Sequence, residues 1–451
     1  MHSRRVPVGL RLFLLALLVY SACPPFTSND SYWTVPTALS LIGRGSTAVD
    51  EFVARAPLVS RHGLECVPQE GQGVKYDNAN GCPDGHWYNW SPVGVSVLSA
   101  PLVLLMKLAT GIFAAVFPRA GRMVSQPAIS AFLSGDLFGG HVLVELWCAS
   151  TFGALTVWLQ YRIASCFVAR RTAVWLAVLF GFGTAEWSVA SRNLYQHGLV
   201  ALLLSAALYL AVRAREDARW IGFAGIPLAL ALTVRPTTVT SVAAYTIFVA
   251  VHYRAWLWRF LFGFLPVLAP LAAYNLVVRH AWLQSYYAHV PPERVPLLAG
   301  LAIYWFSPSR GLLIFTPVFV FSIAGMALAL RQRWCYPLAP YLIGVLVAHS
   351  IALAVVWDGH SYGPRYFADV TPLFAFFLIP VAPYWRRVRG PFLALALWGL
   401  LVHARGATSV AAHEWNAIPN VDPRVRVWDW KDPQFLRGLW HYGPGFSIRQ
   451  N

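Results

Sequence analysis

Charge is scarce in this chain. Only 12% of its 451 residues are Asp, Glu, Lys or Arg, about half the share usual in a soluble globular domain. Lysine is almost missing: Lys75, Lys107 and Lys431 are the only ones. Cysteine is sparse at six, and no CxxC pair or Cys/His cluster marks a metal site. No Gly-rich phosphate loop is present, which argues against an ATP-driven pump. No internal repeat of the kind common in transporters stands out. What is abundant is apolar sequence, 57% of all residues. It recurs in runs of roughly 17–25 residues, long enough to cross a bilayer. The expected fold class is therefore an all-α polytopic membrane protein. A soluble enzyme, a small disulfide scaffold, a coiled coil and a disordered regulator are excluded.

The net charge of +16 would suggest nucleic acid in a soluble protein. Here it has a simpler reading as positive cytoplasmic loops, and no nucleic-acid partner is expected. Apolar segments fall near residues 8–24, 91–117, 137–161, 172–190, 195–212, 220–234, 237–252, 260–278, 311–330, 335–356, 367–384 and 390–404. The basic start and first apolar run resemble a signal peptide, but Pro24 and Pro25 replace a small-residue cleavage site, so an uncleaved first helix is expected. Basic clusters at Arg162, Arg170 and Arg171, at Arg213, Arg215 and Arg219, at Arg254 and Arg259, at Arg331 and Arg333, and at Arg386, Arg387 and Arg389 all belong in the cytoplasm by the positive-inside rule. They do so together if segment 91–117, which carries Pro92, Pro101 and Lys107, does not cross. The count is then about eleven crossings, with the N-terminus inside and the C-terminus outside. The polar regions collect on the external face: a first loop over 25–136 and a tail over 405–451, leaving 1–404 as the membrane domain. Cys66 and Cys82 lie in that first loop and are expected to pair if it is external.

Candidate chemistry sits in the same places. Asn29 and Asp30 follow the first helix, where an acid at a membrane boundary is either a helix cap or functional. The turn WDGHSYGPRYFAD packs Trp357, Asp358, His360, Tyr362, Arg365, Tyr366 and Asp369 between two helices, more polar chemistry than a hairpin needs. SRNLYQHG contributes Arg192 and His197, Arg235 precedes Pro236, SPSRGLLIFTP contributes Arg310, and Glu145 interrupts an apolar helix. Arginines bind phosphate through paired charge-assisted hydrogen bonds, and a carboxylate can take a proton from a hydroxyl. The set fits transfer from a lipid-linked phosphate.

At these residues the chain resembles the GT-C superfamily of integral membrane glycosyltransferases, which use polyprenyl-phosphate sugars and include protein O-mannosyltransferases and aminoarabinose transferases. The resembling stretches, in order, are the Asp30 loop, HWYNWSPVGVSVLSAP (86–101), RNLYQHG (192–198), VRPTT (234–238), SRGLLIFTP (309–317), SYGPRYFADVTP (361–372) and WDWKDPQFLRGL (428–439). The resemblance implies a GT-C-like fold whose first external loop holds juxtamembrane helices. It implies a bacterial inner-membrane location with an external active site and a glycan, lipid or protein as acceptor. It makes Asp30 the general base, with Arg235, Arg310, Arg365 and His197 around the donor phosphate. Asn29, Arg192, Trp357, Asp358, His360 and Tyr362 are further pocket candidates. Many relatives carry two adjacent acids where this chain has Asn29–Asp30, so a divalent metal stays open. A transporter or flippase for a lipid-linked precursor, and an inactive envelope scaffold, are the competing classes.

Overall fold

The structure, a computed structural model, describes residues 7–28, 30–68, 74–75, 81–82, 84–282, 286, 295–332, 337–355, 361–417 and 426–439. Asn29, Trp357, Asp358 and His360, all named above as candidates, lie outside the described residues. The chain is mostly helical. Helices of ten or more residues are α1 (Val8–Ser21), α2 (Thr34–Arg44), α3 (Gly94–Val116), α4 (His141–Ser165), α5 (Arg170–Phe182), α6 (Gln196–Arg213), α7 (Gly225–Val234), α8 (Val239–His252), α9 (Leu265–Val278), α10 (Leu297–Phe306), α11 (Val320–Gln332), α12 (Ala339–Ala354) and α13 (Trp385–Thr408). Pro7 opens α1, and the chain leaves it before Pro24 and Pro25, which lack the N–H a further turn needs. Gly45 ends α2 in the left-handed region at φ 67°, where a side chain is strained.

Among the described residues, five helical stretches are long and apolar enough to cross a membrane: Gly94–Val116, His141–Ser165, Gln196–Arg213, Arg254–Val278 and Ile379–Thr408. Other expected segments are shorter or broken. The run 367–384, expected as one segment, folds instead as short helical turns at Arg365–Val370, Thr371–Phe376 and Ile379–Tyr384, with proline at 372, 380 and 383. Its aromatic residues Phe367, Phe374, Phe376 and Phe377 are buried in the main core.

The bundle has two chemically distinct ends. At one, Arg162 donates to the Tyr209 hydroxyl at 2.8 Å, Arg215 sits over the Phe167 ring, Arg213 over Trp220, and Arg259 over Trp256. The basic clusters of 162–171, 213–219 and 254–259 thus gather together. The helix α6 runs from there to His197 near the other end, about 27 Å away at 1.5 Å per residue. That other end carries Asp30 and the remaining polar turns.

Helix α3 is long enough to span, but its two ends meet the same end of the bundle. Gly94 at its start abuts the Thr233 carbonyl, just before Arg235. Near its finish, Thr110 and Ala114 lie against Gly135, and the following residues join the Asp30 end through an Arg55–Asp136 ion pair, a Phe52–Phe138 stack and a Tyr32–His141 contact. A helix anchored at both ends on one face runs along that face. Leu105, Leu108, Ile112 and Val116 remain exposed on it.

The first loop folds on this end as a three-stranded antiparallel sheet, β1 (Leu64–Pro68), β2 (Val74–Lys75) and β3 (Gly85–Asn89), ordered β2-β1-β3. A buried Glu65–Arg279 ion pair and an Arg279 Nη2 donation to the Asn89 carbonyl at 2.9 Å tie the sheet to the end of α9. Cys66 on β1 and Cys82 form a disulfide, with their Cα atoms 5.4 Å apart. Closing a loop of this length stabilises by roughly 3 kcal/mol on the chain-entropy account. Changing both cysteines to serine is expected to raise amide hydrogen exchange at 64–68 and 85–89 by about two orders of magnitude while α4 and α6 stay protected. Unchanged exchange in the sheet would refute the role given to the bridge.

Candidate functional site

Three pieces of chain meet Asp30. Arg365 Nη2 donates to Asp30 Oδ2 at 3.0 Å, Ser91 Oγ donates to the Asp30 carbonyl at 3.3 Å, and the Asp30 amide donates to Ser28 Oγ at 3.2 Å. The Asp30 side chain is 58% exposed, that of Arg365 only 11%. Asp30 meets Arg365 through a single N–H, so the carboxylate stays open to solvent.

From Arg365 the site extends inward across one aromatic ring. Tyr366 is flanked by two guanidinium groups, Arg365 at 5.3 Å and Arg235 at 5.1 Å from the ring centre. Arg365 also lies over Tyr195 at 4.9 Å. Behind Arg235 is a buried pair: Arg235 Nε is 2.9 Å from Asp369 Oδ2, and His197 Nδ1 is 2.8 Å from Asp369 Oδ1. Arg235 Nη1 reaches His197 Nε2 at 3.4 Å. A guanidinium can only donate, so Nε2 accepts and the ring proton sits on Nδ1, facing the carboxylate. Asp369 is a member of this network that sequence reasoning noticed only as part of a polar turn. The available signal was an acid four residues after Arg365, inside an otherwise apolar run.

Arg310 does not join this group. It is fully buried and faces the C-terminal tail, donating from Nη2 to Asn416 Oδ1 at 2.9 Å and from Nη1 to the Ser309 carbonyl at 3.0 Å. Its guanidinium lies 5.6 Å from the Trp415 ring centre. Among the described residues it therefore lies apart from Arg235 and Arg365, enclosed by a short turn and the returning tail. The same tail fixes the Arg365 turn. Gln434, fully buried, accepts from the Gly363 amide at 2.8 Å and donates to the Ser361 carbonyl at 2.8 Å, which also takes Asn416 Nδ2 at 2.9 Å. Nothing in the sequence of the tail marks Asn416 or Gln434 for this.

Arg192 is likewise buried. Its Nη1 donates to the Tyr20 carbonyl at 2.9 Å and Nη2 bonds the Pro24 carbonyl, so it caps the end of α1. Tyr362 donates to the Val402 carbonyl at 2.6 Å. Both residues line a cavity of about 250 Å³ beside Arg365, with Phe26, Asn193, Tyr195, His413 and Asn416 among the other walls. Burial outweighs the hydrogen bond to the Gly406 carbonyl and keeps the His413 pKa below its ordinary value, so the ring adds a neutral wall at pH 7. Glu145 accepts from Thr27 Oγ1 at 2.9 Å, one residue behind the same cavity.

Among the described residues, no group of three or more His, Cys, Asp or Glu side chains is placed to hold a metal ion. The charged neighbour of Asp30 is a guanidinium, which disfavours a cation there. The described residues around Asp30 do not by themselves supply a divalent-metal site. Compared with known proteins, the chain matches no family model and no curated relative, so what it does is argued from the geometry of this site.

Proposed function

We propose that the protein is a glycosyltransferase that moves a sugar from a polyprenyl-phosphate donor to an acceptor on the external face of a bacterial inner membrane, through a GT-C-like domain of about eleven crossings. One observation carries the reading: an exposed carboxylate, Asp30, stands at the mouth of a group of arginines and aromatic rings, beside a cavity, at the bundle end opposite the basic clusters. Asp30 takes the proton of the acceptor hydroxyl as that oxygen attacks the anomeric carbon. The bond from that carbon to the phosphate oxygen breaks, and the leaving phosphate gains charge. Arg365 and Arg235, both within 5.3 Å of the Tyr366 ring centre, supply the positive field for it. Each guanidinium has a carboxylate beside it, Arg235 the buried Asp369 and Arg365 the exposed Asp30, and both come within reach of the same ring. A single displacement predicts inversion at the anomeric carbon.

The reading is tested in a strain lacking the protein. Its membranes are expected to accumulate one polyprenyl-phosphate sugar and to lose one envelope glycan modification, both restored by the wild-type chain. Complementation with Arg365→Ala is expected to restore neither, and in membranes to raise the KM for donor at least tenfold as well as to lower kcat, because Arg365 touches both base and leaving group. An unchanged lipid profile in the deletion strain would overturn the reading.

A further inference from the structure

At the basic end of the bundle, three arginines gather around one point. Arg162 on α4 donates from Nη2 to the Tyr209 hydroxyl at 2.8 Å, and Arg213, the last residue of α6, lies beside the same hydroxyl. Arg215, in the turn that follows, lies over Phe167 at 4.7 Å from the ring centre. All three act electrostatically on the Cys166 thiol, just past the end of α4. Each guanidinium is laid on an aromatic ring, Arg162 also on Tyr209 at 5.4 Å and Arg213 on Trp220 at 5.5 Å. Stacking covers the flat faces of a guanidinium and leaves its N–H edges for an acceptor. Positive loops at this end orient the chain in the membrane. Orientation needs only charge in the loops, and does not require guanidinium groups from two helices and a turn to converge on one phenol and one thiol.

Carboxylates answer only part of this charge. Glu216, with its side chain 64% exposed, meets Arg213 Nε at 3.3 Å, and Asp217 is turned to Arg219 at 2.8 Å. Among the described residues, Arg162 has no carboxylate in ion-pair range, and the Arg215 guanidinium has neither a carboxylate nor a hydrogen-bond partner. Converging guanidinium edges bind phosphate oxygens through charge-assisted hydrogen bonds. The phosphate stays at the surface, because the cleft beneath Arg215 is only about 10 Å³, room for about one water and none for the rings of a nucleotide. The rim is apolar. Trp220 and Phe223 are exposed beside the group, and so is Trp258 on the short helix whose Arg259 packs on Gly222. Such rings belong at the depth of the membrane interface, where lipid phosphates lie. We propose that Arg162, Arg213 and Arg215 bind the phosphodiester headgroup of an anionic lipid in the leaflet at this end. The site stands on its own contacts and does not rest on the transferase reading.

The test uses the full-length protein in detergent micelles, with lipid binding followed by native mass spectrometry. The probes are phosphatidylglycerol, zwitterionic phosphatidylcholine and inorganic phosphate. Phosphatidylglycerol is expected to bind at least about fivefold more tightly than phosphatidylcholine, and Arg215→Gln to weaken it about fivefold, the contribution of one arginine at an anionic headgroup. The Arg215 guanidinium has no hydrogen bond to lose among the described residues, so the thermal midpoint of that variant without lipid should match wild type. Arg162→Gln with Arg215→Gln is expected to abolish the preference. Glu216→Gln, which removes the acid facing Arg213, is expected to tighten phosphatidylglycerol about threefold, a gain that misfolding cannot imitate. The control is Arg386→Gln with Arg387→Gln. These two open α13, whose far end meets the tail through Arg405, so they lie at the basic end, and among the described residues they make no contact with the group. The control pair is expected to keep the wild-type preference. Equal binding of the two lipids, or a wild-type preference in Arg215→Gln, would overturn the proposal. So would an equal loss in the control pair, which marks diffuse charge, or displacement of phosphatidylglycerol by millimolar phosphate, which marks a site for a free anion.

Discussion

Asp30→Asn is expected to lower sugar transfer by a factor of about 10²–10⁴, the range that a positioned general base contributes, while donor affinity changes less than about threefold. The structural ground is the exposure of the carboxylate and its single contact with Arg365. The amide keeps the shape and can still accept from Arg365 Nη2, so Arg365 stays near its place. What is lost is the capacity to take a proton. Because the Asp30 carboxylate is more than half exposed, although Arg365 is not, and because the amide can still accept from Arg365, the substitution is expected to cost about 1 kcal/mol of stability and to shift the thermal midpoint of the purified variant only slightly. The measurement is donor turnover in membranes alongside binding of the intact polyprenyl-phosphate sugar to the inactive variant. Wild-type turnover in Asp30→Asn would remove this residue from the base role even if the cavity and arginines are used as proposed.

Asp369→Ala should behave in the opposite way. This carboxylate and His197 are both about 2% exposed, and Arg235 is 11% exposed. Deleting the acid leaves the Arg235 guanidinium buried without its counter-charge and the Nδ1 proton of His197 without an acceptor. Breaking a buried pair from one side costs about 3–5 kcal/mol, above the cost at Asp30, whose carboxylate faces solvent. The expected result is a large fall in thermal midpoint and in the yield of folded protein in detergent, with transfer falling in step. Asp369→Asn should recover part of the loss, since its amide oxygen can still accept from His197, but its amide group cannot neutralise Arg235. A thermal midpoint for Asp369→Ala within about one degree of wild type would show that the network is not holding the site together. The contrast between the two acids is the sharper comparison: one variant inactive and stable, the other unstable, although both acids lie within the same chain of contacts around Tyr366.

The tail adds a dependency that is invisible in linear order. Gln434 and Asn416 converge on the Ser361 carbonyl, and Gln434 also holds the Gly363 amide. Gly363 itself has φ 54° and packs against Phe315, so the turn that presents Arg365 is fixed from both sides. Arg310 is buried in the same junction, bonded to Asn416.

The amino-acid sequence by itself determined the helical class, because apolar runs of bilayer length leave the backbone no other way to satisfy its hydrogen bonds in lipid. It also determined the separation of basic clusters from polar turns, since positive loops and apolar segments alternate along the chain, and it marked Cys66 and Cys82 as partners through their shared polar loop. The meeting of Asp30 with Arg365, 335 residues later, was decided only by the tertiary structure. So was the diversion of Arg310 into the tail. Both arginines sit in short turns that also carry serine, glycine and proline, and local pattern treats them alike. They differ in what packs on top: for Arg365 an open face with an exposed acid, for Arg310 a returning strand of chain bearing Asn416, Trp415 and Gln434. The path of α3 was decided the same way. Its length and composition permit a crossing, and only the contacts of its two ends with Thr233 and Gly135 lay it along one face, because direction in space is set by packing at the ends of a helix and not by its hydrophobicity.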